Sequence, residues 1–289
     1  WPHAVAAAWL AAASAIAATP PVDSSIAQQV DAIEAAAGGD PERVIAALRG
    51  LEARARANGG QDLVKFLAAW GYAHGAVNQP VVADAAVDEL TRLGTGAQAH
   101  AALASAYALK ANLLQFAGRL GTALDWVNAA TDQAAMVDDP HLQYWVYMSA
   151  GDIAVTTGRL ALAVEHHSAA LASATAIGND RRVAQVHLAL APLYLALDRP
   201  AQALAAARAA RRHAEQADEP ALARSAGVLE RLAGGAATAP SPPPGPGGRS
   251  AINPEAGGPG WLADDLSARL YLASLYLSAG RYEAAEAVA

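Results

Sequence analysis

Residues 156–174 read TTGRLALAVEHHSAALASA, and residues 116–134 read FAGRLGTALDWVNAATDQA. Laid over each other, Gly158-Arg159-Leu160 falls on Gly118-Arg119-Leu120. Ala163 falls on Ala123, and Ala170 on Ala130. The offset is 40 residues. The same step forward from Ala163 reaches Ala203 and then Ala210 from Ala170; the step back from Ala123 reaches Ala83. Self-similarity at a fixed spacing is the mark of a repeat architecture, and it takes precedence over local motifs. The same stretch holds an adjacent pair, His166-His167, beside Glu165, which invites a reading as a metal or acid–base site.

The spacing argues against that reading. Neighbouring residues on a helix point about 100° apart, whereas metal ligands from one helix stand at i,i+3 or i,i+4. Neither histidine has another histidine or an acid at those positions. Register places His167 on the packing face, with His166 turned away. The pair is therefore read as scaffold, in the place held by Val127 and Ala207 in adjoining units. His141, His187 and His213 stand isolated along the chain.

Each 40-residue unit reads as two helices. In the unit over 141–180, Asp139-Pro140 opens the first helix and Gly158 ends it. A second helix follows, and Gly178-Asn179-Asp180 breaks the chain. The same reading fits 100–139 and 181–219, and fits 61–93 more loosely. A first pair is expected over about 24–58, capped by Ser24 or Ser25 and turning at the GGDPER stretch, residues 38–43. Composition agrees. The chain is 54% hydrophobic but only 6% aromatic, and alanine dominates. Alanine is the strongest helix former and lets helix axes approach closely, while strand formers never cluster in period two.

This pattern resembles the tetratricopeptide repeat (TPR) family. Gly151 and Ala191 hold the small mid-helix place of helix A, and Tyr194 and Tyr276 the aromatic place. Ala83, Ala123, Ala163 and Ala203 hold the first helix B alanine. The unit is longer than the family's ~34 residues, and the aromatic place holds Leu114 and Ala154 in two units, so the chain is TPR-like. The resemblance implies an all-α, right-handed helical solenoid of antiparallel helix pairs with a period of about 40 residues. It also implies a concave groove lined by helix A that receives a protein or peptide partner. Carried over by register, the groove positions are Lys65, Tyr72, Asn112, Gln115, Trp145, Met148, Asp152 and Gln185. The aromatic run Tyr144 to Met148 either anchors a partner or fills the core between repeats. The family's Lys/Asn/Arg carboxylate clamp is not reproduced.

The period slips once. Residues 234–260, GGAATAPSPPPGPGGRSAINPEAGGPG, are too rich in Pro and Gly for a helix. Beyond them Ala285 stands two periods plus two from Ala203. The segment takes the place of one helix B and leaves the helix at about 220–233 without its partner. It is read either as a surface loop or as an out-of-frame stretch of coding sequence. Residues 19–233 are assigned to repeats and 261–289 to the start of a further repeat, which runs to the last residue without a stop signal. Residues 1–18, without any acid, Lys or Arg and with an A-x-A pattern at Ala15–Ala17, read as the remainder of a signal peptide or an anchor.

Several function classes find no support. A net charge of −7 and no basic block argue against nucleic acid. The longest basic cluster, Arg208, Arg211, Arg212 and His213, fits a solvated helix face. The absence of cysteine removes disulfides and thiol chemistry. The acid pairs Asp88-Glu89, Asp138-Asp139 and Asp264-Asp265 sit near helix ends, with Asp139 and Asp264 as helix-start residues. No catalytic residue, metal or cofactor is expected, and the segment is read as a non-enzyme.

Extracytoplasmic TPR-like arrays of this style are similar to the N-terminal halves of bacterial membrane signalling proteins, including GGDEF-type diguanylate cyclases. The resemblance implies a protein-interaction or sensory module at the periplasmic face of the inner membrane. Its output domain would lie beyond residue 289, and any membrane contact would run through the N-terminal segment or a helix beyond the C-terminus. The alternative is a free periplasmic scaffold with no output domain.

Overall fold

The structure, a computed structural model, describes residues 24–37, 40–94, 99–238 and 265–288. Among them the chain is all α-helix: fourteen helices and no strand. They are α1 (Ile26–Ala36), α2 (Pro41–Leu48), α3 (Glu52–Asn58), α4 (Gly60–Ala76), α5 (Pro80–Leu93), α6 (Ala99–Phe116) and α7 (Leu120–Ala134). Then follow α8 (Pro140–Thr156), α9 (Leu160–Ile177), α10 (Asp180–Ala196), α11 (Pro200–Gln216), α12 (Pro220–Thr238), α13 (Asp265–Ser278) and α14 (Tyr282–Val288). The chain divides into two compact units, residues 1–149 and 150–289, so α8 contributes its first half to one and its last turns to the other.

The 40-residue ruler extends to the backbone. The turn between the two helices of a pair places one residue in the left-handed region: Asn78 (φ 57°), Gly118 (φ 71°), Gly158 (φ 73°) and Asp198 (φ 60°). These stand 40 apart. In each, the following N–H reaches back to a carbonyl five residues earlier: Gln79 to His74, Arg119 to Leu114, Arg159 to Ala154 and Arg199 to Tyr194, all at 2.8 Å. This is the Schellman closure of a helix end, and the next helix opens two residues after it. Only the glycines show this turn plainly in the sequence, because Gly adopts positive φ freely. Asn and Asp tolerate it less conspicuously.

The repeated alanines are the seam. Ala83, Ala123, Ala163 and Ala203 are fully buried, as are Ala130, Ala170 and Ala210. Within the first unit α4 packs on α5 and α6 on α7, and α4 also packs on α6. Within the second, α10 packs on α11, α11 on α12, and α10 on α12. Each helix thus buries one face against its partner and another against the next pair, which is how a stacked repeat builds a continuous core. Replacing Ala123 with leucine is expected to cost about 1–3 kcal/mol through overpacking. Ala117→Leu, at an exposed position, should leave urea-unfolding curves unchanged.

Two expectations need correction. The first pair over 24–58 is three short helices, α1 to α3. Ser25 caps α1 with a full capping box through Gln28, and Asp40 caps α2 by accepting from the Glu42 and Arg43 N–H groups. But Gly50 follows Leu48 closely, and the chain closes there in i,i+3 turns (Gly50 N–H to Ala47, Leu51 N–H to Leu48) before restarting. The Pro/Gly-rich stretch does not begin at 234 structurally, since α12 carries through Gly234 and Gly235 to Thr238. Two glycines lower helix propensity by only about 1 kcal/mol each, and α12 is anchored along α10 and α11. α12 packs on those two helices of the preceding pair and touches α13, while the place of its own second helix falls outside the described residues. The segment 1–18, Asp264, and residues 239–260 of the Pro/Gly stretch lie outside the described residues.

The final pair, α13 and α14, is held to the second unit. Leu272, Leu275, Tyr276 and Ala285 share one buried cluster with Ala154, Ala163, Leu193, Leu195 and Ala203. Arg281 donates to the Leu195 carbonyl at 2.7 Å and to Asp198 at 2.9 Å, and lies over the Tyr276 ring at 4.9 Å.

Candidate functional site

The histidine pair is the first site to be tested. His167 is almost completely buried, and its ring fills the space in which a Cβ on Gly151 would stand. That position is one of a second periodic set: Gly71, Ala111, Gly151 and Ala191 lie 40 apart and are all buried. At Gly71, by contrast, an added Cβ would meet Leu109 and Ala86, so only at Gly151 is the space taken by a histidine ring. Nε2 of His167 lies 3.7 Å from Asp152, and Nδ1 has no hydrogen-bond partner. Burial pushes the imidazole down to about 3, helped by neighbouring His166. The ring is neutral near pH 7, so the Asp152 contact is not an ion pair and His167 is no proton carrier there. His166 is also lowered, again by burial and against the pull of Glu165.

The other histidines are not isolated, as the linear sequence made them. His213 on α11 lies 2.7 Å from Asp180 at the start of α10 and stacks on His187, ring centroids 6.2 Å apart. His187 is depressed to about 4, by burial first and then by His213 and Arg212. His141 contacts Asp31 at 3.2 Å. Helix pairing brings these together across 26 residues or more, which no local pattern records. Among the described residues no group of three His, Asp or Glu is placed to hold a metal ion. The basic cluster faces carboxylates, with Arg208 and Arg211 each 3.1 Å from Glu230.

A cleft of about 160 Å³ opens in the first unit. Its walls come from α1, α4, α6 and the start of α8, that is, from the first helix of each pair and not the second. The floor is apolar and small: Val64, Ala68, Ala69, Ala101 and Leu142, with Tyr72 and Trp145 half-buried at the sides. Tyr72 is held edge-on to Phe116, centroids 6.1 Å apart, and Trp145 packs its inner part on the buried core. The rim is polar. Lys65 Nζ lies 3.0 Å from Asp31 and 3.8 Å from Glu34. Gln61 donates to Asp139 at 2.8 Å, while the other Asp139 oxygen caps α8 by accepting from His141 and Leu142 N–H groups at 2.9 and 3.2 Å.

Of the eight groove positions expected from register, Lys65, Tyr72 and Trp145 meet in this cleft. Asn112, Gln115 and Met148 are buried and must be withdrawn as surface residues. Asn112 donates to the Ser149 hydroxyl at 3.2 Å inside the packing of the first unit. Asp152 and Gln185 belong to the second unit and are half-buried. Asp152 lies by His167, and the Tyr271 phenol of α13 is raised by burial first and by Asp152 second. The sequence did not reveal Asp31, Glu34 and Ser105. The first two sit on a helix outside the clear 40-residue register, and a lone serine in an alanine-rich helix carries no motif.

No family model matches this chain, and no curated protein matches it. Among solved structures, the crystal structure of BtubC (BKLC) from P. vanneervenii is similar over 74% of this chain and 85% of that one, with a TM-score of 0.51 and 18% sequence identity. At that identity the likeness concerns the fold alone, which it places among helical-repeat-type structures.

Proposed function

We propose that this chain is a protein-binding, TPR-like module that holds its partner along the first helices of its pairs, and that it performs no chemistry itself. The observation that carries the reading is the cleft between α1, α4, α6 and α8, with half-buried Tyr72 and Trp145 on an apolar floor. Half-buried aromatics beside a polar rim are the composition of interface hot spots. The wider setting is a bacterial exported or membrane-anchored signalling protein, at the periplasmic face of the inner membrane, whose output domain of the diguanylate cyclase type lies outside this segment. That setting rests on the TPR-like pattern and on analogy of architecture.

Two experiments test it. A photo-crosslinking amino acid at position 61, on the exposed rim, should give discrete protein adducts in cells of the source bacterium, and Trp145→Ala should remove most of them. Unchanged adducts would sink the groove assignment. Alkaline phosphatase fused after residue 40 should be active outside the cytoplasm; an inactive fusion would remove the periplasmic setting and leave the binding reading standing.

A further inference from the structure

The chemistry of the cleft narrows what can enter it. Three carboxylates line it, Asp31, Glu34 and Asp139, against one lysine, Lys65, which lies by two of them, and His141, whose ring contacts Asp31 at 3.2 Å. An incoming anion meets net negative charge; an incoming cation meets carboxylates already oriented by Lys65 and Gln61. At the floor stands Ser105, 1% exposed. Its hydroxyl makes no hydrogen bond among the described residues, although helix serines such as Ser168, Ser225 and Ser278 each donate to the carbonyl four residues back. A nearly buried hydroxyl that turns toward a cleft without a protein partner leaves a place for a polar atom of a ligand. The aromatic sides, Tyr72 and Trp145, complete the set.

We infer that the cleft takes the side chain of an arginine in a basic segment of a partner protein. This deepens the binding reading above and rests on it. A guanidinium is planar, so it can lie against the Trp145 or Tyr72 face while its N–H groups reach carboxylates and a hydroxyl at once. An ammonium is a more strongly hydrated point charge and uses neither the planar face nor the fork geometry. The volume fits the same answer. A space of about 160 Å³ is that of one anchoring side chain, and lies below the ~300 Å³ at which pockets for whole small ligands begin. The remaining contacts of such a segment would fall on the rim.

The test uses the full chain and a random twelve-residue peptide library displayed on phage, with binders to Trp145→Ala removed by counter-selection. The expected result is enrichment of peptides with an invariant arginine. In a synthetic copy, citrulline at that place should weaken binding at least about tenfold, the scale of losing a charge-assisted hydrogen bond. Glu34→Gln, on the partly exposed rim, should weaken the arginine peptide about tenfold and the citrulline peptide little, with circular dichroism unchanged; Ser105→Ala should act in the same sense. Trp145-dependent binders without arginine, or equal affinity for the citrulline peptide, would overturn the inference and leave the groove reading intact. No Trp145-dependent binders at all would overturn both. Displacement of the peptide by N-acetylarginine methylamide at equal affinity would replace the partner segment with a small cation.

Discussion

Gly151→Ala should destabilise the second unit by about 2 kcal/mol, the scale of overpacking a filled core, although alanine is ordinarily the better helix residue by up to about 1 kcal/mol. The sign is decided by the His167 ring, which already occupies the space of the added methyl. At Ala111 and Ala191, the equivalent places, alanine is native, and the register positions of His167 hold Val127 and Ala207. The pair therefore predicts its own rescue. In a His167→Ala background the repeat has the pattern of Ala191 and Ala207, and Gly151→Ala should then be neutral or stabilising. Urea unfolding of the four proteins yields the coupling energy directly. A loss from Gly151→Ala that is the same in both backgrounds would remove the explanation.

Acid should weaken the same unit through the same residue. The folded-state value of His167 is about 3, against an unfolded value of about 6.5. For a base held neutral by burial, the unfolded chain takes up the proton first. Stability is complete above pH 6.5 and falls as pH drops from there toward 3. By pH 5 this amounts to about 2 kcal/mol for a fully buried imidazole. His187, depressed to about 4 but less buried, acts in the same direction. His167→Val places in this unit the residue found at position 127. It should make the stability difference between pH 7.5 and pH 5 markedly smaller in denaturant melts. An identical pH slope in wild type and variant would show that His167 is not held neutral by the fold.

The candidate site was legible in the sequence only in part, for a physical reason. Register along a helix A names which residues share a face, and it named Lys65, Tyr72 and Trp145, which line the cleft. It also named Asn112, Gln115 and Met148, which are buried. A helix in a stacked repeat has two buried contacts, one with its own partner and one with the next pair. The exposed sector left between them is narrow, and one helical step of about 100° moves a residue across its edge. Asp31 and Ser105 were invisible for another reason: their part in the cleft depends on α1 and α6 lying on either side of α4, and neither sits in a local motif.

What the amino-acid sequence determined by itself was the period. Alanine every 40 residues, with a left-handed turn residue ahead of it, dictates helix, turn, helix, because both signals act through neighbours a few residues away in the chain. The turn holds even at Asn78 and Asp198, where no glycine announces it. Only the tertiary structure decided which histidines lie beside which carboxylates, that the His167 ring fills the space beside Gly151, and which face of each first helix stays open. Those outcomes depend on volumes and charges meeting across tens of residues, and close packing fixes them to within a methyl group.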